Sequence, residues 1–166
     1  MSANVSIEWA AVTDIDLLRL RLAVDTELRN RGLAHSVGIA GERAAVEHYR
    51  KAASLPKLQH APTGTKNVDA LSREGDRYSI KTICNGKKTG TVYPDTVCPE
   101  KQLFEYLLVV HLSNDWLLKS IHQFTWDQFL AVRAWDKRMN AWYVGISART
   151  LAIGSLIFDG HRQLRT

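Results

Sequence analysis

The spacing of hydrophobic positions changes character along this chain, from helical in the first third to strand-like beyond it. Over residues 14–31, Ile15, Leu18 and Leu22 fall at helical spacing, while Arg19, Glu27 and Arg29 take positions open to water. Thr13 stands where an N-cap belongs, with Asp16 at the third helical position, and Gly32 supplies the stop. A second helix is expected from Ser36 to about Ala53. There Glu42, Ala45, Val46 and Tyr49 repeat at i, i+3, i+4 and i+7. Pro56 and Pro62 argue against further helix, because proline has no N–H to donate. The runs at 68–71, 78–83, 104–112 and 116–124 are short and rich in β-branched, aromatic and aliphatic residues, which predicts strands. Ser72-Arg73-Glu74-Gly75-Asp76 and Ser113-Asn114-Asp115 are turn sequences between pairs of them. Helical spacing returns over 125–135, with Thr125 as cap and Trp126, Phe129, Leu130 and Val132 as apolar surface. A last strand is expected at 142–147, and the stretch onward to Phe158 fits either state.

Helices followed by a mostly antiparallel sheet and then mixed elements predict an α/β or α+β fold. We expect a single domain over 1–166, with an amino-terminal helical region over about 1–55.

Composition narrows the picture only a little. Hydrophobic residues at 45% and charged residues at 23% belong to a globular chain and exclude disorder. A formal net charge of +5 suits a polyanionic partner, but solubility alone explains charge of that size. Cys84 and Cys98 stand apart, without the paired spacing of a zinc site, and two isolated thiols fit a reducing cytoplasm. The amino terminus lacks the basic-then-apolar pattern of a secretory signal, and no run approaches the ~18 apolar residues of a membrane span. A cytoplasmic protein without membrane association is the expectation.

Candidate chemistry concentrates between Asn67 and Thr82. A three-residue turn at 74–76 would set Arg73 opposite Arg77 and Asp69 opposite Lys81. Side chains alternate along a strand, so Ser79 and Lys81 share a face and Asp69 joins them across the pair. An acid and a lysine would then converge between two strands. The alternative is an exposed cross-strand ion pair of little energetic consequence.

This arrangement resembles the PD-(D/E)xK nuclease core, in which an aspartate precedes a hairpin and an acid-x-lysine triplet follows it. More narrowly it is similar to the PvuII-type restriction endonucleases. The resemblance spans about 64–143, roughly half the chain. It includes the Asn67-Val68-Asp69 approach, the Lys87-Lys88-Thr89-Gly90 loop, and the late Trp135-Asp136-Lys137-Arg138 and Trp142-Tyr143 pieces. It implies a restriction-endonuclease-like mixed sheet flanked by helices. The implied activity is hydrolysis of duplex DNA to leave a 5′-phosphate, by a homodimeric type II restriction endonuclease.

One position departs from the pattern. Ser79 stands where the acid two residues before the lysine belongs, and a hydroxyl is a weak, neutral metal ligand. Glu42 is the candidate to replace that carboxylate, since it lies on the apolar stripe of the second helix. A stripe-edge glutamate reaching to water is the other reading, and Asp95 and Glu105 are alternative acids. Magnesium, or manganese in its place, would be held by Asp69, Glu42 and the Ile80 carbonyl, together with the scissile phosphate. Lys81 would stabilise charge on the attacking oxygen and on the phosphate. With its acid missing, the chain also fits a decayed nuclease that binds nucleic acid without cutting it. A nuclease of repair or structured DNA is a third reading.

No acidic residue lies between Asp76 and Asp95, where Arg77, Lys81, Lys87 and Lys88 all fall. The donor-rich loop from Asn85 through Lys87, Lys88, Thr89 and Thr91 is the expected DNA contact. Lys137 and Arg138 form a second patch. A merely solvated loop is the competing reading.

Overall fold

The computed structural model describes residues 7–32 and 37–160. Contacts cluster into two units, one up to Ser36 and one from Val37 onward. The amino-terminal helical region expected over about 1–55 is therefore divided, its second helix belonging to the later unit.

In the first unit a short 3-10 turn, Trp9–Ala11, precedes helix α1, Asp14–Asn30. The expected caps are in place. The Thr13 hydroxyl accepts from the Asp16 N–H, and Gly32, in the left-handed region at φ +64°, donates to the Arg29 carbonyl. Arg19–Asp16 and Arg31–Glu27 pairs decorate the helix, and none of its residues is buried.

The second unit opens with α2, Val37–Lys51; Ser36, its expected start, lies outside the described residues. Strands β1 (Gln59–His60), β2 (Ala70–Leu71), β3 (Arg77–Ile83), β4 (Tyr106–Leu112) and β5 (Leu118–Thr125) follow. Helix α3 (Trp126–Val132), strands β6 (Arg133–Asp136) and β7 (Ala141–Val144), helix α4 (Ala148–Leu151) and strand β8 (Ser155–Asp159) complete it. The main sheet has six strands in the order β1-β2-β3-β4-β5-β8. Its β3–β4 pair is parallel and its other pairs are antiparallel. The fold is thus mixed α+β, as the order of elements predicts.

Alternation along β3 divides the core in two. Tyr78 and Ile80 pack with Leu108, Val110 and Ile121 beneath Ala45, Val46 and Tyr49 of α2. Ile83, on the opposite face, packs with Leu107, Val109, Phe124, Phe129 and Trp142. The buried Tyr49 hydroxyl donates to Gln123 at 2.7 Å, which satisfies the polar end of a large apolar side chain. Burial also pushes the Tyr49 and Tyr78 hydroxyls well above the ordinary tyrosine range, so both stay protonated.

Several boundaries differ from expectation. Helix α3 stops at Val132 instead of 135, because Arg133 turns extended and starts a strand paired with β7. Its guanidinium lies 4.1 Å from the Trp142 ring centroid, a cation–π contact that favours strand over helix here. The strand at 68–71 shrinks to Ala70–Leu71, and the one at 142–147 ends at Val144. The segment that fits either state contains both, α4 and then β8.

Candidate active site

The hairpin joining β2 and β3 sets the geometry. The Ser72 N–H donates to the Asp76 carbonyl, and the Ser72 hydroxyl accepts from the Asp76 N–H. Gly75 closes the loop at φ +95°, a conformation that glycine adopts without steric penalty. The turn is therefore 73–75, one residue earlier than the expected 74–76. Ala70 pairs with Tyr78 and Leu71 with Arg77, which sets Asp69 level with Ser79 rather than with Lys81. A one-residue shift of a loop moves the register by two, so side-chain parity survives. Asp69, Ser79 and Lys81 still share a face.

Because β2 is so short, β3 has an open edge from Ser79 onward, and the Asp69 side chain occupies it. Its Oδ2 accepts from the Ile80 N–H at 2.6 Å and from the Ser79 hydroxyl at 3.3 Å. The Lys81 Nζ lies 3.7 Å from the same oxygen. The side chains of Lys81 and Asp69 are only 17% and 24% exposed, so this is not the water-screened surface pair of the competing reading. Asp69 Oδ1 makes no hydrogen bond among the described residues and is free to take a cation. Ser79, fully buried, steadies Asp69 rather than facing solvent. What Ile80 visibly contributes is its N–H.

Glu42 joins from α2. Helix and strand approach closely at Gly41, where an added Cβ would collide with the Thr82 side chain. The next residue is thereby carried to the open edge of β3. Burial and the nearby Asp69 charge raise the Glu42 pKa, and Lys81 opposes the rise. The half-buried carboxylate has no hydrogen bond or ion pair among the described residues. Two carboxylates close enough to feel each other's charge, one of them without a hydrogen-bond donor, are a donor set that a divalent cation would complete. No group of three His, Cys, Asp or Glu side chains suited to a metal occurs among the described residues.

The alternative acids are engaged elsewhere. Glu105 accepts from the Arg77 backbone N–H at 2.6 Å and pairs with its guanidinium at 2.7 Å, which lowers its pKa. Asp95 accepts from the Val97 and Cys98 N–H groups, which lowers its own.

The basic loop runs past the site, with Gly90 beside the Lys81 stem. Asn85 and Lys87 are exposed and Thr91 is half-buried. Thr89 is buried: its N–H donates to the Val144 carbonyl and its hydroxyl accepts from the Val144 N–H. It pins the loop to β7, and its burial keeps the hydroxyl from a nucleic acid, a correction to its expected role. Lys88 pairs with Asp136 at 2.8 Å. Asp136 also accepts from the Arg138 and Met139 N–H groups, shaping the tip where Lys137 and Arg138 are exposed. The two expected basic patches are thus tied into one.

Gly41 escaped the sequence reading, and Asn67 entered it only as part of the Asn67-Val68-Asp69 approach. Asn67 adopts φ +60° and donates from Nδ2 to the Tyr93 carbonyl, anchoring the approach to Asp69. A glycine inside a helical pattern was the available signal for Gly41; the anchoring role of Asn67 depends on Tyr93, a partner far along the chain.

Comparison with models of known protein families, and with curated proteins, finds no match. No helix among the described residues is long and apolar enough to cross a membrane.

Proposed function

We propose that the chain is a magnesium-dependent endonuclease of duplex DNA, of the restriction-endonuclease-like kind, acting as a homodimer. The observation that carries this reading is the half-buried Glu42 carboxylate beside Asp69 and Lys81, left without a hydrogen-bond partner. Asp69, Glu42 and the Ile80 carbonyl would hold the magnesium. When bound, the cation would neutralise both carboxylates, offset charge on the phosphate and lower the pKa of water.

The chain's own groups do the rest. Ile80 N–H and Ser79 hold Asp69 in one orientation before substrate arrives. Lys81, largely shielded from water, places its ammonium where negative charge grows on the phosphate. Water attacks phosphorus, the bond to the 3′ oxygen breaks, and the products carry a 5′-phosphate and a 3′-hydroxyl. Lys87, Lys137 and Arg138 would contact the DNA backbone, with Asn85 available to base edges. Lys88, held by Asp136, would have to exchange partners to join them.

The buried Ser79 in place of an acid favours a second reading, a fold that binds DNA without cutting it. Incubation of unmethylated plasmid with magnesium or manganese separates the two. Discrete fragments are expected, and Asp69→Ala and Lys81→Ala should each abolish cutting while circular dichroism stays unchanged. Intact DNA with both metals, or full activity in either variant, overturns the proposal. A ladderless smear or cutting confined to branched substrates would indicate a repair nuclease.

A further inference from the structure

Away from the carboxylates, a cavity of about 600 Å³ opens between the second half of α2, strand β1 and the β2–β3 loop. Val46 and Leu58 are its apolar lining, and Arg50, Lys57 and Arg73 supply its positive charge beside His60, without any carboxylate among the lining residues. The sequence agrees, since no acidic residue occurs between Glu47 and Asp69. Neither the Arg50 nor the Arg73 guanidinium is within ion-pair distance of a carboxylate among the described residues, although Glu47 is near enough to feel the Arg50 charge. Like charges gathered around one space repel each other, and without an anion between them nothing offsets that repulsion. Lys57 donates to the Arg50 and Ala52 carbonyls at 3.0 and 2.6 Å, so it neutralises the negative end of α2 that would otherwise repel an anion.

We infer that this cavity is a phosphate site, occupied by a backbone phosphate of the same nucleic acid that the carboxylates face. The alignment is set by one helix. Glu42, Val46 and Arg50 lie at i, i+4 and i+8, on one stripe of α2. At 1.5 Å per residue, Arg50 stands ~12 Å from Glu42 along the axis, or about three to four base steps of a duplex strand. A strand laid along α2 would meet carboxylates at one end and cations at the other. The position of the phosphate relative to a cut rests on the proposed function; the anion chemistry of the cavity does not. A free nucleotide offers the same phosphate, with a sugar and base to cover Val46 and Leu58.

The test uses full-length protein in chelator, where no cutting occurs. Binding of a labelled duplex is followed by fluorescence anisotropy across a salt series, and binding of deoxyadenosine 5′-monophosphate by calorimetry. Arg50→Ala and Arg73→Ala should each lower the slope of log affinity against log salt by about one. Together they should weaken duplex binding roughly fivefold or more at moderate salt, with Arg50→Lys and Arg73→Lys keeping the slope. Both arginines are exposed, so melting temperature should hold, and Arg73→Glu on the loop provides a second variant. Lost nucleotide binding with unchanged duplex binding would overturn the backbone source and assign the cavity to a free nucleotide. No change in either overturns the site. Asp69→Ala should bind duplex at least as tightly as the parent, so lost cleavage and a lost phosphate site are told apart.

Discussion

At the scale of single residues, Glu42 links stability to function. Its folded pKa is raised, first by burial and then by Asp69. A raised pKa means the folded chain holds that proton more tightly than the unfolded chain. The group's stabilising contribution is therefore complete below the ordinary glutamate range and is lost as pH rises through the raised folded value. At neutral pH the ionised carboxylate destabilises the fold. Glu42→Gln should consequently melt higher than the parent near neutrality in chelator, and the gap should close in acid. Magnesium should raise the parent's melting temperature and not the variant's. The same change should slow single-turnover cleavage about as much as Asp69→Asn, by ~4 kcal/mol, because each removes a ligand charge. Ser79→Ala should be mild, since it loses one long hydrogen bond worth about 1 kcal/mol. Glu42→Gln that melts and cuts like the parent would remove Glu42 from the site.

At the scale of elements, the contact between α2 and β3 positions the carboxylate. Gly41 is buried against Thr82, with no room for a methyl group. Gly41→Ala improves helix propensity by about 1 kcal/mol, so an isolated-helix argument predicts a gain. The overpacking penalty of about 1–3 kcal/mol opposes it and should win, because the obstructing Thr82 Cβ sits on strand backbone that cannot move freely. We expect a lower melting temperature and slower cleavage together, as α2 is pushed off and Glu42 with it. A variant as stable and active as the parent would show that this approach is not needed.

At the scale of the whole molecule, the proposed cutting of both strands of a duplex is most simply done by two sites related by a two-fold axis. Helix α1 is the dimer element we favour, since it carries Ile15, Leu18 and Leu22 exposed on one stripe. Sedimentation at micromolar concentration should show a dimer, and Leu18→Glu with Leu22→Glu should shift it to monomer. Monomer alone, with and without DNA, would count decisively against this.

Local chemistry in the sequence was enough for much of this chain. The Thr13 and Thr125 caps, the Gly32 stop and the strand of alternating residues at 77–83 each depend on neighbours a few positions away. The shared face of Asp69, Ser79 and Lys81 was legible too, because parity survives a one-residue error in the turn. Tertiary structure decided what local rules cannot reach. The parallel β3–β4 pairing, the early end of α3 against β7, and the burial of Thr89 follow from long-range partners. So do the engagement of Glu105 by Arg77 and the cluster of cations around one cavity. Whether a carboxylate is solvated, paired or left facing another depends on which backbones approach it. Glu42 reaches Asp69 because Gly41 lets a helix lie against a strand, and the spacing of residues along the chain does not encode that distance.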